Sequence, residues 1–345
     1  MANVNPGAAK RDAESKMSER SFARIVATGC YLPPQVITNR ELIERFRLDV
    51  DEAWIESRTG IVARHWMSEG QTTSDMLVEC ARSILAQAGL EAREVDRLIV
   101  STVSPDHPSP STATIVARKL GARCAAFDLS AACAGFLYGL DLARGAIATG
   151  AERVLVLAAD ARSRYIDRRD RRGVVLFADG AAGALVSPSS APGLLDVWVG
   201  AEGLEHMGAW IPAGGAARPT THETVESGEH FLRVDGFREI FERFKGFTRE
   251  AVNNVLERAG VELGDIDLFI THQGNAFLVR EIVADLGIDP ARAVEDVARH
   301  GNTSGATVPI ALAEARASGR IKSGDLVLLA SVGAGWTFGA ALHRF

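Results

Sequence analysis

The feature that most constrains this 345-residue chain is that it spells one structural phrase twice. In the first half, LIVSTVSP leads through a loop and a helix to FDLSAACAGFLYGLDLARGAIATGAERVLVLAAD. In the second, DLFITHQGN leads through a helix to VARHGNTSGATVPIALAEARASGRIKSGDLVLLAS. Each time a turn of small residues opens a helix, the helix stops near glycine, and an acidic residue precedes a strand of Val and Leu. The period is far above the roughly 20–50 residues of solenoid repeats, so it implies two pseudo-symmetric halves rather than an array. Two βαβ-rich halves stacked on a shared helical layer place their corresponding turns face to face at the centre. Chemistry is expected there.

Short apolar runs bounded by Gly, Pro or Asp predict strands at Arg24–Gly29, Arg97–Val103, Ala125–Asp128, Arg153–Ala159, Ala182–Val186, Leu195–Glu202, Leu268–Thr271, Leu326–Ser331 and Gly339–Arg344. Helices are predicted between them, at Thr73–Gln87, Thr112–Leu120, Ala132–Thr149, Phe237–Ala259 and Val308–Ala317. Alternation of the two makes the fold α/β. The expected division is a polar, disordered leader over 1–20, an N-terminal half over 21–190 and a C-terminal half over 191–345.

Charge and composition exclude several function classes. With 38 Lys and Arg against 44 Asp and Glu, the formal charge is −6, which offers no bulk attraction to nucleic acid or an anionic membrane. No run of about eighteen apolar residues is present to span a bilayer, and no secretory signal pattern opens the chain. A cytoplasmic protein with reduced thiols is therefore expected. Cys30, Cys80, Cys124 and Cys133 form no CxxC pair, and the eight histidines show no HxxxH or HExxH spacing. No metal site is expected.

Three segments carry candidate chemistry. In Ser130-Ala131-Ala132-Cys133-Ala134-Gly135-Phe136, an apolar strand runs through small residues into a helix, so Cys133 sits near a helix N-terminus. Free N–H groups and the helix dipole there favour a thiolate and lower the ordinary thiol pKa of about 8.5. A small buried hydrophobe is the competing role, and the other three cysteines keep it. His272, in THQGN, lies at the C-terminal end of a strand, the edge where α/β sheets bind ligands; it is either a proton carrier or a structural hydrogen-bonder. Asn302, in RHGNTSGATVP, belongs to the second-half counterpart of the Cys133 turn and faces it by the repeat. The loop GAGWTFG leads from one strand into another, which suits an oxyanion-binding backbone N–H better than a nucleotide cradle. A thiol with two neutral hydrogen-bonding partners suits acyl-thioester chemistry. The two donors would stabilise the negative charge formed when a malonyl-type group loses carbon dioxide.

Taken in order, DLSAACAGF, THQGN, RHGNTSGATVP and GAGWTFGAAL resemble the β-ketoacyl-acyl-carrier-protein synthase III family of the thiolase superfamily, from about residue 22 to Phe345. The resemblance implies a thiolase-like five-layered αβαβα fold, a homodimer and a Cys133–His272–Asn302 triad. It implies no cofactor beyond a CoA thioester as substrate. Cys133 would take an acyl group from acyl-CoA, and the acyl-enzyme would condense with a malonyl thioester on acyl carrier protein or CoA. By motif, Trp54, Arg58 and Arg171 (or Arg172 in an alternative register) would contact CoA, and Asn275 the pantetheine arm. Phe177 would lie beside Cys133, and the N–H groups of Cys133 and Gly335 would form the oxyanion hole.

The chain departs from the family pattern where basic residues usually greet the acidic carrier: it has Ala276-Phe277, Ala284-Asp285 and Glu242. Lost positive charge weakens steering, although nearby arginines such as Arg243 and Arg280 offer replacements. His107 stands where the family often pushes a Phe into the partner subunit's acyl pocket, which implies an altered acyl substrate. Rival functions are acyl transfer to another nucleophile, a secondary-metabolite condensing enzyme that does not use acyl carrier protein, and a non-catalytic partner subunit.

Overall fold

The strands follow one another as β1 (Phe22–Tyr31), β2 (Gln35–Thr38), β3 (Ala63–Trp66), β4 (Arg97–Ser101), β5 (Ala125–Leu129), β6 (Val154–Ala161) and β7 (Asp179–Ser189). Then come β8 (Leu194–Ala201), β9 (Ala209–Trp210), β10 (Arg233–Val234), β11 (Leu268–Thr271), β12 (Leu326–Gly333) and β13 (Thr337–Arg344). This computed structural model describes residues 22–204, 208–234 and 236–345, so the leader expected over 1–20 lies outside the described residues.

Two sheets carry the same connectivity. The first has the order β1-β7-β6-β4-β5 and the second, read in the same sense, β8-β13-β12-β11. In the first, β4 runs parallel to β5 and β6, and β7 is antiparallel to β6 and β1. In the second, β11 is parallel to β12, and β13 is antiparallel to β12 and β8. Where β5 flanks β4, β11 has only a single parallel bridge from Phe269 to Ala293.

Helices fill the spaces in five alternating layers. Thr73–Ala88 and Thr112–Leu120 cover the outer face of the first sheet, and Phe237–Ala259 and Ala276–Leu286 that of the second. Gly135–Ala148 and Thr307–Ala317 lie between the sheets and touch both. These central helices are rich in Ala, Gly and Leu because they are buried on opposite faces at once. A Cβ on Gly139 would stand 2.5 Å from Val156 Cγ1, so only glycine lets that helix approach β6 so closely. β6 is buried along all 8 residues, and Val154–Ala159 reads as an unbroken apolar run rather than an alternating one.

Boundaries differ from expectation where small residues hid them. The run Ala182–Val186 extends to the whole of β7, because the alanines and glycines of DGAAGAL lack β-branched signal yet pair with both β1 and β6. The expected helix from Ala132 is a 3-10 turn over Ala132–Ala134 followed by the α-helix from Gly135. Among the described residues, no helix is long and apolar enough to cross a membrane.

Candidate active site

The two small-residue turns do meet. Ala132–Ala134 and Ser304–Ala306 are both 3-10 turns that feed the two central helices, and they pack against each other. Each opens on a non-glycine residue at positive φ, Ala132 at 45° and Ser304 at 57°, a conformation costing on the order of 1–3 kcal/mol. The Asp160 carboxylate, at the end of β6, holds the junction: it accepts from Gly305 N–H (3.1 Å), Val103 N–H (2.9 Å) and the Ser104 hydroxyl (3.0 Å). Ser331 Oγ donates to the Cys133 carbonyl (2.7 Å), and Thr337 Oγ1 donates to that of Ala131 (2.7 Å).

Cys133, His272 and Asn302 line one cavity of about 90 Å³, together with Phe177 and Asn275. The half-buried Cys133 places its thiol 3.6 Å from Ser304 Oγ. Burial pushes that thiol up, and the Arg162 guanidinium and the Ser304 hydroxyl offset this only in part. The lowered pKa expected from the helix N-terminus is thus corrected: the turn geometry is there, but desolvation of the thiolate outweighs it.

His272 is buried, and its Nδ1 hydrogen-bonds the Thr307 hydroxyl (2.7 Å). Burial, aided by the nearby Arg162 charge, holds the imidazole down to about 3, so it is neutral near pH 7. Asn302 is fixed by its own turn. Its Oδ1 accepts from Ser304 N–H (2.8 Å), which turns its amide N–H groups toward the cavity. Its backbone is clamped to the Leu176–Ala178 segment by Asn302 N–H to Leu176 O and Ala178 N–H to Asn302 O, both 2.9 Å. That clamp holds buried Phe177 in the lining of the cavity that Cys133 also lines.

The other expected residues scatter more. Arg171 lays its guanidinium over the Trp54 ring at 5.1 Å, while Arg172 turns to Asp170, the cap of its own short helix. Of the two registers, Arg171 is therefore the one that joins Trp54. Arg58 is exposed in the last turn of Glu52–Thr59. Asn275 caps Ala276–Leu286 by accepting from Leu278 N–H (2.8 Å). In the loop between β12 and β13, Ala334 lines both the Cys133 cavity and an adjoining cavity of about 490 Å³, and Gly335 lines the second. His107 is exposed and lines neither cavity.

Sequence reasoning missed Arg162, Ser304, Thr307 and Asp160. The available signal was position: Asp160 and Arg162 follow the apolar run Val154–Ala159 at the ligand-binding edge of the sheet. It also missed Asp296, His300 and Glu314, whose donor atoms lie within 4.8 Å of one another. Glu314 is already engaged there by His300 Nε2 and Arg299 Nη2, each at 2.8 Å.

Five alternating layers with a thiol at the junction of two like halves define a thiolase-fold acyltransferase, and comparison with known proteins narrows the class. Residues 127–203 match the family model for 3-oxoacyl-[acyl-carrier-protein] synthase III, and residues 256–345 match the model for its C-terminal part. The β-ketoacyl-[acyl-carrier-protein] synthase III of Solibacter usitatus is 41% identical over 329 residues, covering 94% of this chain and 98% of the relative. The crystal structure of 3-oxoacyl-[acyl-carrier-protein] synthase III from Aquifex aeolicus superposes with a TM-score of 0.84 at 36% identity, covering 94% of this chain and 100% of that one. A priming β-ketosynthase of a polyketide pathway superposes with a TM-score of 0.85 at 33% identity, covering 94% and 97%. The chain belongs to the 3-oxoacyl-[acyl-carrier-protein] synthase III family.

Proposed function

We propose that the protein takes an acyl group from acyl-CoA onto Cys133 and condenses it with a malonyl thioester. In the first step the Cys133 thiolate attacks the thioester carbonyl, and its oxyanion is met by the backbone N–H groups of Cys133 and Gly335. The carbon–sulfur bond to CoA breaks, and CoA leaves as a thiol after taking up a proton. In the second step the malonyl carboxylate departs as carbon dioxide. The electron pair passes to an enolate whose oxygen is held by His272 and Asn302. The enolate carbon then attacks the acyl-Cys133 carbonyl and expels the thiolate, giving a β-ketoacyl thioester.

The observation that carries this reading is a pair of neutral donors sharing one cavity with Cys133: His272, held down to about 3, and Asn302, its oxygen already engaged. So weak a base suits transfer to a hydroxyl or amine poorly, because that reaction asks the histidine to remove a proton. Nδ1 lies 2.7 Å from the Thr307 hydroxyl, which also reaches Ser304 O at 3.1 Å; Nε2 is the donor in the tautomer in which that hydroxyl turns its hydrogen from Ser304 O to Nδ1.

Trp54, Arg58, Arg171 and Asn275 are proposed to hold the CoA and pantetheine parts, and no cofactor beyond the thioester is invoked. The chain is proposed to work as a cytoplasmic homodimer in which His107 reaches the partner's acyl pocket, with its two halves at 21–190 and 191–345. Primary fatty-acid initiation is favoured by the relatives. Priming of a secondary pathway is the second reading, supported by the missing carrier-facing charges and by the similar polyketide-priming ketosynthase. The test is to incubate the protein with several acyl-CoAs, read the mass gain on Cys133, then add malonyl-CoA or malonyl-carrier protein and identify the product. Absence of acylation by every donor overturns the proposal. Acylation without release of carbon dioxide turns it into a simple acyl transfer.

A further inference from the structure

Arg162 is 6% exposed, yet none of the ion pairs or side-chain hydrogen bonds among the described residues involves its guanidinium, and its Nε is buried without a partner. Its one close contact of note is the Phe177 ring, 5.7 Å away. Arg64, at 0% exposure, shares the unpartnered Nε but differs at its terminal nitrogens, which donate to Ile37 O, Asn39 Oδ1 and Val175 O. Asp160 makes no ion pair with Arg162; its oxygens accept from the backbone and hydroxyl donors of the central junction. A guanidinium left without an anion in such a place is destabilising unless a ligand answers it.

Its location says what it awaits. Arg162 lines both the Cys133 cavity and the adjoining one of about 490 Å³, and stands in the wall between them. It is the one formally charged side chain among the described residues that line either cavity, since His272 is neutral. Around it the second cavity is walled by Val103, Trp210, Ile211 and Leu232, with Ser130 and Thr337 as its uncharged polar side chains. Its field reaches the reacting groups, drawing both Cys133 and His272 downward. An alkyl chain on Cys133 would leave the guanidinium unpaired, whereas a carboxylate would meet it with charge-assisted, two-point hydrogen bonds.

We propose that Arg162 binds a carboxylate at the far end of the acyl group on Cys133, making the preferred donor the mono-CoA thioester of a short dicarboxylic acid. This rests on the reading that Cys133 is loaded from acyl-CoA. The test uses matched pairs, succinyl-CoA against butyryl-CoA and glutaryl-CoA against valeryl-CoA, with the loading rate of Cys133 followed by intact mass. The wild-type protein is expected to favour the carboxylated member of at least one pair by about tenfold or more, as a buried charge-assisted contact implies. Arg162→Leu should reverse that ratio, and Arg162→Gln should abolish most of it while keeping a polar side chain. A role confined to stabilising the Cys133 thiolate would slow both members equally and leave the ratio unchanged, which overturns the proposal. Wild-type preference for the alkanoyl donors in both pairs overturns it too, while leaving loading from acyl-CoA intact. Failure of every donor overturns both. Should neither variant fold, the wild-type ratio decides.

Discussion

Replacing Asn302 by alanine separates the two half-reactions. The amide makes one fixed contact, Oδ1 to Ser304 N–H at 2.8 Å, and offers its N–H groups to the cavity. Removing a preorganised donor that meets charge in the transition state costs about 2.7–4 kcal/mol, or a factor of about 10²–10³. That loss should fall on condensation. Loading should change by no more than about threefold, because its oxyanion is served by backbone N–H groups rather than by Asn302. A structural cost accompanies it, since the buried Ser304 N–H loses its acceptor, worth about 1–3 kcal/mol of stability. The backbone clamp to Leu176 and Ala178 does not involve the side chain and should persist. The assay is rapid-quench mass spectrometry of Cys133 acylation alongside release of carbon dioxide from malonyl thioester, with melting temperatures recorded in parallel. Asn302→Asp serves as the control for folding, because it keeps an acceptor for Ser304 N–H but presents a carboxylate oxygen where the donor stood. It should condense as poorly as the alanine variant while melting closer to wild type. Equal loss of loading and condensation in Asn302→Ala would refute the division of labour.

Three further outcomes follow from the same geometry. Ser304→Ala removes the hydroxyl 3.6 Å from the Cys133 thiol, so the pH profile of loading should move to higher pH; an unmoved profile means that contact does not support the thiolate. His272 and His343 are both held down to about 3 by burial, so the unfolded chain binds more protons between that value and the ordinary value of about 6.5. Stability should therefore fall as pH drops through that window, opposed in part by Asp296, which burial raises to about 6. His343→Gln, which keeps an acceptor for Ile25 N–H, should flatten the dependence of melting temperature on pH; an unchanged slope would exclude His343. On the face expected to greet a carrier, Lys245 pairs with Glu242 (3.0 Å) and Arg249 with Asp285 (2.6 Å), so both cations are answered within the chain. Glu242→Lys with Asp285→Lys should raise kcat/KM several-fold for malonyl-carrier protein but not malonyl-CoA at low salt, an advantage that fades at high ionic strength. Equal response of both substrates would place the carrier elsewhere.

The layered fold and the grouping of Cys133, His272 and Asn302 were legible because the chain repeats its small-residue turns at matching points of two strand–helix units. What escaped sequence reading depends on distances between remote segments. Arg162 looks like any arginine in a basic stretch until the fold shows that β6 delivers it, unpaired, into the cavity wall. The direction of the Cys133 pKa was misjudged for a related reason: the helix start is a local feature written in the sequence, but desolvation is set by distant chain.

The repeat also explains why the chain carries one nucleophile rather than two. The positive-φ residues Ala132 and Ser304 occupy like places in the two turns, so Gly305 is the counterpart of Cys133. A Cβ at Gly305 would stand 3.2 Å from the Ala132 carbonyl oxygen and 3.5 Å from the Asp160 carboxylate. Its N–H is already given to Asp160, so a second thiol would find neither room nor free backbone donors. The counterparts of His272 and Asn302 are Thr102, just past β4, and Ser130, both too short to take over those tasks at the centre. Close packing of two like turns thus forces an unequal division. One half supplies the nucleophile at the point of contact, and the other, barred from bulk there, supplies the donors from its flanks.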